Sequence, residues 1–179
     1  NSYAETIFET PARIADLDDV LPIVVSGRVS KITEIDAYQF TTPAGGPVAV
    51  QLDDRLGQPF YGVLQILGAD GKLIADAADT TGAGASVVFE AQAGAAYTAR
   101  VHDAEFGGDR GYVYRLSIER GPKVVATLPQ VVQRGFSGNV EVIGWGVASG
   151  KRQLESVSQL VSVPADAAGE TFAISFDTS

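Results

Sequence analysis

From Pro22 onward the apolar residues of this 179-residue chain recur at every second position. Ile23, Val25, Gly27 and Val29 alternate with polar or small partners, Tyr38 and Phe40 form the next pair, and Val48, Val50 and Leu52 follow. Successive side chains of a strand point to opposite faces, so this period marks half-buried strands. Turn signals return about every 8–12 residues, the spacing of an all-β sandwich. Asp70-Gly71, between Leu64–Leu67 and Leu73–Ala75, predicts a hairpin closed by a type I′ turn, which needs positive φ at both central residues. Ser86–Ala91, Ala96–Val101 and Tyr112–Ile118 read as further strands, and 20 glycines and 8 prolines suit so many short connections.

The period differs at the start. Pro11 sits where a first helical turn tolerates it, and Ile14, Leu17 and Leu21 fall on one face, so residues 1–21 are expected to be a linker with a short helix. A turn at Glu119-Arg-Gly-Pro122 breaks the pattern again and places a domain boundary there. Residues 22–120 form the first sandwich in this reading. Residues 121–179 form a smaller segment, with candidate strands at Val124–Leu128, Asn139–Ile143, Leu160–Val163 and Thr171–Phe176. Four or five strands fall short of the roughly seven of an immunoglobulin sandwich, so this part is either a truncated unit of that kind or an extension of the first.

Composition narrows the partners. Hydrophobic residues at 45% allow a sizeable core, and a formal charge of −9 with no basic stripe argues against nucleic acid or an anionic membrane. No apolar run approaches the roughly 18 residues of a bilayer span, so membrane insertion is not expected. A leader is expected to lie outside this sequence, because no basic and apolar regions open it. The absence of Cys excludes disulfides, thiolate chemistry and cysteine-ligated zinc.

Five stretches, in order, resemble the bacterial pre-peptidase C-terminal (PPC) domain family. Asp36-Ala-Tyr-Gln-Phe40 is similar to its Asp-x-aromatic-x-Phe strand, and Thr42–Gly45 with Val48–Leu52 to its turn and following strand. Leu64–Ala75 resembles its leucine-rich hairpin, Ala93–Val101 its Gly-x-Tyr strand, and Tyr112–Ile118 its closing strand. The resemblance spans residues 9–119. Arg55-Leu-Gly57 and Asp103–Gly108 look like the planctomycete versions, in which an Ig-like segment often follows; Leu128–Gly135 and Asn139–Gly144 would begin it. The resemblance implies a jelly-roll β-sandwich related to collagenase collagen-binding domains, carried as an accessory module by secreted proteases and surface proteins.

Sites inherited through that resemblance are weak. Some collagenase members hold calcium near the N-terminal linker, but the matching stretch here is Phe8-Glu-Thr-Pro-Ala-Arg13, where Ala12 and Arg13 supply no side-chain oxygen to an ion that wants six to eight. Asp76 and Asp79 remain after the hairpin and are read as solvated carboxylates, and Asp36 as capping or orienting its strand. No metal or cofactor is expected, with calcium the alternative. His102 is the only histidine; if Tyr97, Ala99 and Val101 point inward it faces solvent, and sequence adjacency to Asp103 builds no triad. Asp53-Asp54 read as a solvated turn rather than a pair of catalytic carboxylates. Gly82-Ala-Gly84 lacks the following helix of a phosphate loop, and Gly144-Trp-Gly146 is too short for one.

Among the aromatics, Tyr97, Tyr112 and Tyr114 share the parity of apolar neighbours and are expected in the core. Phe60, Tyr61, Phe106 and Trp145 fall in predicted loops or turns and are the candidate ligand contacts. Arg100 and Arg115, on the outward parity of strands read as neighbours, would line one polar face. The expected function is that of a non-catalytic accessory or adhesion module of a secreted or cell-surface bacterial protein. It would sit among other domains of a larger protein and bind protein or polysaccharide surfaces. The alternatives are a spacer without a ligand and a calcium-stabilised module.

Overall fold

The computed structural model describes residues 12–13, 23–80, 82, 84–149 and 153–166, and among them there is no helix. The chain divides between Arg120 and Gly121 into two units.

The first unit contains β1 (Ala12–Arg13), β2 (Ile23–Arg28), β3 (Asp36–Thr42), β4 (Gly46–Asp53), β5 (Gly62–Gly68), β6 (Leu73–Ala78), β7 (Ala85–Ala91), β8 (Ala95–Asp103) and β9 (Val113–Arg120). One sheet has the order β1-β3-β8-β5-β6 and the other β2-β9-β4-β7. From β2 to β9 the chain changes sheet at every step except the β5–β6 hairpin, and apart from β1 every pairing is antiparallel. That winding is a jelly roll, the expected all-β sandwich.

The period-two pattern locates the core. Phe40, Leu64, Ile66 and Val101 from the first sheet face Val25, Val50, Leu52, Phe89, Leu116 and Ile118 from the second, each at most 1% exposed. Each buried side chain of this size contributes roughly 1.5–3 kcal/mol relative to exposure. Phe89 meets Phe40 and Tyr97 edge-on, with ring centroids 6.5 and 4.9 Å apart. Tyr97 and Tyr114 are buried as expected, and Tyr112 packs at the margin.

One polar group of three lies inside this core. Tyr114 on β9 donates to Asp36 Oδ2 on β3 at 2.5 Å and shares a second hydrogen bond of 2.5 Å with the Tyr38 hydroxyl. Asp36 therefore does more than orient its own strand: it bonds across the two sheets. Gly27 on β2 makes room for the group, because a Cβ there would lie 2.3 Å from the Tyr114 hydroxyl and 2.8 Å from that of Tyr38.

Three expectations are corrected. Ala12 and Arg13, placed in the helical stretch, pair in parallel with Tyr38 and Gln39 of β3; two extended residues satisfy backbone groups on that strand's outer edge. The rest of the expected helix lies outside the described residues. The β5–β6 hairpin forms, but its turn is not type I′: of the two turn residues only Gly71 has positive φ, at 75°. Gly71 N–H donates to Gly68 O and Gly68 N–H to Lys72 O, which is a type I turn followed by a left-handed glycine. The Asp70 carboxylate accepts Lys72 N–H and stabilises that alternative. Finally, β8 and β9 lie in different sheets, so Arg100 and Arg115 do not share a face.

The second unit is an antiparallel meander of β10 (Lys123–Leu128), β11 (Ser137–Trp145) and β12 (Leu154–Ser162). β12 starts six residues before the expected Leu160, because residues 154–159 pair continuously with β11, exposed and half-buried positions alternating along them. A bulge at Val125 interrupts β10. One face packs Val140, Val161 and Val163 with Val132 and Phe136. The strand expected at Thr171–Phe176 lies outside the described residues.

Candidate functional site

The jelly-roll winding delivers four connections to one end of the first unit: 29–35 between β2 and β3, 54–61 between β4 and β5, the described residues Asp79, Thr80, Gly82 and Gly84 between β6 and β7, and 104–112 between β8 and β9. Hydrogen bonds lock three of them to each other. Thr33 N–H donates to Phe106 O at 2.9 Å, Ala104 N–H to Tyr61 O at 2.8 Å, Gln58 N–H to Gly111 O at 2.8 Å, and Asp109 N–H to Val29 O at 3.0 Å. Thr33 and Phe106 both hold left-handed backbone, with φ of 63° and 55°. That conformation is costly for side-chain-bearing residues and persists where surrounding bonds over-determine it.

Buried carboxylates organise the loops. Asp103 accepts three backbone N–H groups, from Tyr61 at 3.1 Å, Glu105 at 3.1 Å and Gly107 at 2.9 Å. Glu34 accepts Lys31 N–H at 2.6 Å and the Ser30 hydroxyl at 3.2 Å. Asp54 accepts Gly62 N–H at 2.9 Å, and Asp79 accepts Gly82 N–H at 2.6 Å. The Arg55 guanidinium lies 3.5 Å from Asp54 and 2.9 Å from Asp79, whose side chains are fully buried. Burial raises the Asp54 carboxyl above its ordinary value; the Gly62 N–H opposes this, the Asp79 charge adds to it, and Arg55 offsets part.

The solvated reading of Asp54 and Asp79 is thus corrected, while Asp76 is exposed as expected. The cause is the β4–β5 loop, which folds Asp54 back under the start of β5. His102 is corrected too. It has the outward parity but is 7% exposed, because loop 104–112 folds over it. Its ring stacks on Phe106 with centroids 4.9 Å apart and planes 5° from parallel, and Nδ1 lies 2.9 Å from the Asp103 carbonyl oxygen.

The candidate aromatics separate. Phe60 is 3% exposed and stacks on Tyr112 at 5.1 Å, so it belongs to the core and has no face to offer. Its neighbour Tyr61 is 59% exposed and Phe106 45%, and the bonds from Tyr61 to Asp103 and Ala104 bring their loops together. Trp145, 40% exposed, lies in the second unit at the end of β11, paired with Lys123 and Leu154.

Two exposed apolar residues of the loop end were not singled out by sequence, Ile32 and Leu56. Nothing in a period-two reading distinguishes an outward loop aliphatic from an inward one. The loop carboxylates did leave a signal: Asp79, Asp103 and Asp109 each precede a glycine by two to four positions, the spacing at which an Asp side chain caps its own turn. Among the described residues no group of three or more His, Asp or Glu side chains converges as a metal site.

No family model and no curated protein matches the chain. Among solved structures, the pre-peptidase C-terminal domain of a collagenase from Bacillus anthracis aligns with 62% of this chain and 96% of its own, at 18% identity and a TM-score of 0.49. PliG of Aeromonas hydrophila, a periplasmic inhibitor of g-type lysozyme, aligns with 63% of this chain and 96% of its own, at 13% identity and a TM-score of 0.47. Salmonella Typhimurium PliG aligns with 63% of this chain and all of its own, at 16% identity and a TM-score of 0.41.

Proposed function

We propose that the chain is a non-catalytic accessory or adhesion module of a secreted or cell-surface bacterial protein. It works beside other domains of that protein and binds protein or polysaccharide surfaces through the loop end of its first unit. One observation carries this reading: at that end the histidine and four carboxylates are used to build loops, and aromatic and aliphatic side chains face solvent beside the exposed Lys31, Arg55, Glu105, Asp109 and Arg110. Asp54, Asp79, Asp103 and Glu34 are buried on backbone N–H groups, and His102 lies beneath Phe106. Tyr61 and Phe106 stand on the locked loops, where large amphipathic rings make contact at little entropic cost.

The five sequence stretches resembling the PPC domain agree with such a role, and the Ig-like reading of residues 121–179 belongs to the same proposal. The test is sedimentation of the chain with a panel of insoluble polysaccharides and fibrous proteins, in parallel with a Tyr61→Ser/Phe106→Ser double variant. Binding that the double variant loses supports the reading. Binding that it keeps moves the contact surface elsewhere, and binding to nothing in the panel favours a spacer.

A further inference from the structure

We propose that Asp54, set against Asp79, is a proton-binding device: the β4–β5 loop takes a proton up onto Asp54 as it folds under β5, so the loop end is held more firmly in mildly acidic surroundings than at neutral pH. The inference stands whether or not that end binds a partner.

The two buried carboxylates are not equally provided for. Asp79 accepts Gly82 N–H at 2.6 Å on Oδ1 and the Arg55 guanidinium at 2.9 Å on Oδ2. Asp54 accepts Gly62 N–H at 2.9 Å on Oδ2, and among the described residues no hydrogen-bond donor reaches its Oδ1. Arg55 Nε lies 3.5 Å from that oxygen, beyond the usual hydrogen-bonding range of about 2.7–3.2 Å. Both carboxylates have fully buried side chains, and the guanidinium they share is 34% exposed. A buried carboxylate oxygen without a donor is costly in its charged form, and a second carboxylate nearby adds repulsion. Binding a proton removes both costs.

The groups around Asp54 pull in different directions. Burial disfavours its ionised form most, and the Asp79 charge adds to this; the Gly62 N–H and Arg55 oppose it without cancelling it. Asp53 directs its Oδ1 to Arg55 N–H at 3.3 Å. On β8, Asp103 pairs with Gly62 but commits its carboxylate to the N–H groups of Tyr61, Glu105 and Gly107. Tyr61 bears on Arg55. Gly62 admits the Asp54 carboxylate, because a Cβ there would lie 2.6 Å from Oδ2. The proton is thus coupled to the backbone position next to the exposed Tyr61. A group that holds its proton more tightly when folded adds stability that is complete below its unfolded value and is lost as pH rises through its folded one.

The test is a carbon-13 NMR titration of the Asp54 carboxyl in the full chain, with thermal melts of that chain and of Asp54→Asn between pH 7 and pH 4. The Asp54 midpoint is expected above the ordinary value of 3.8, and the unaltered chain should gain in melting temperature over Asp54→Asn as pH falls. Asp79→Asn removes the repelling charge and releases Arg55 to Asp54, so it should lower the Asp54 midpoint. A midpoint at or below 3.8 overturns the proposal, as does a melting difference that stays level or moves the other way. So does an Asp54 midpoint that Asp79→Asn leaves unchanged. Should either variant fail to fold, the titration of the unaltered chain decides alone.

Discussion

Tyr114 and Asp36 are 78 positions apart and meet at 2.5 Å inside the sandwich, a phenol of one sheet donating to a carboxylate of the other. Apolar contacts tolerate small slippage between packed sheets, whereas a buried hydrogen bond has one satisfying geometry. The pair therefore fixes the registration of β9 against β3. Burial, with the charges of Tyr38 and Asp36 next, holds the Tyr114 hydroxyl well above its ordinary value, so it remains a donor throughout the neutral range.

Replacing Tyr114 with Phe removes that donor from a buried carboxylate and should cost about 2–3 kcal/mol. Tyr38→Phe, which leaves the Tyr114–Asp36 bond in place, should cost about 1 kcal/mol. Urea denaturation of the two variants checks the order. The pH dependence has a definite sign. The Tyr114 proton is held more tightly in the folded chain than in the unfolded one. Its contribution is thus complete below the ordinary tyrosine value of 10.0 and declines as pH rises beyond it. Tyr114→Phe should show a shallower loss of stability on the alkaline side.

Gly27 tests the same group by sterics. A methyl group at this position would meet the Tyr114 and Tyr38 hydroxyls at distances no real contact adopts. Gly27→Ala should cost roughly 1–3 kcal/mol, the range for overpacking a close-packed core. The combination with Tyr114→Phe should cost somewhat less than the sum, because Phe removes the Tyr114 oxygen from the clash but keeps the ring carbon that bore it. A double-mutant cycle in urea measures that coupling; strict additivity would contradict the assigned contact.

Arg55 sits between two buried carboxylates, and removing it leaves them facing each other. Arg55→Ala should lower the melting temperature of the first unit at neutral pH, by less than the loss of a fully buried pair would because the guanidinium is 34% exposed. Because the Asp54 carboxyl is raised, its ionised form is disfavoured by folding, and this penalty is relieved as pH falls through its folded value. The variant's deficit should therefore shrink toward pH 4, about the ordinary value of an aspartate. Thermal melts of both chains across pH 4–8 check it.

Strand positions were legible in the sequence because the side-chain period depends only on neighbouring residues. Sheet membership was not. Tyr97–Val101 and Tyr112–Ile118 carry the same alternation, yet they fold into opposite sheets, which separates Arg100 from Arg115. The same limit governs the candidate site. Phe60 and Tyr61 are adjacent loop aromatics, and only the stacking of Phe60 on Tyr112 sends one inward and the other outward. His102 follows the outward parity faithfully; a loop that begins two residues later buries it. Period two reports the direction of a side chain and not what later covers it.

Glu155 offers a local reading of acidity in the second unit. Its carboxylate gathers the turn after β11, accepting the backbone N–H groups of Ala148 at 2.9 Å and Ser149 at 2.8 Å, the Ser149 hydroxyl, and the Gln153 amide at 2.5 Å. The Ser149 hydroxyl and Gln153 amide lead in drawing the carboxyl down from 4.5 to about 2. A depressed acid contributes stability above its unfolded value and loses it as pH falls through the folded one, so this turn should hold from neutral pH to below 4 and loosen toward about 2. The chain's single tryptophan is placed to report it, since Trp145 pairs across the strands with Leu154, next to Glu155. Tryptophan fluorescence should therefore stay level through pH 4.5 and change only toward pH 2. Glu155→Gln, which keeps the shape but loses the charge that the N–H groups favour, should shift the baseline at neutral pH and remove that acid step. An acid step that survives the substitution would assign the transition to another group.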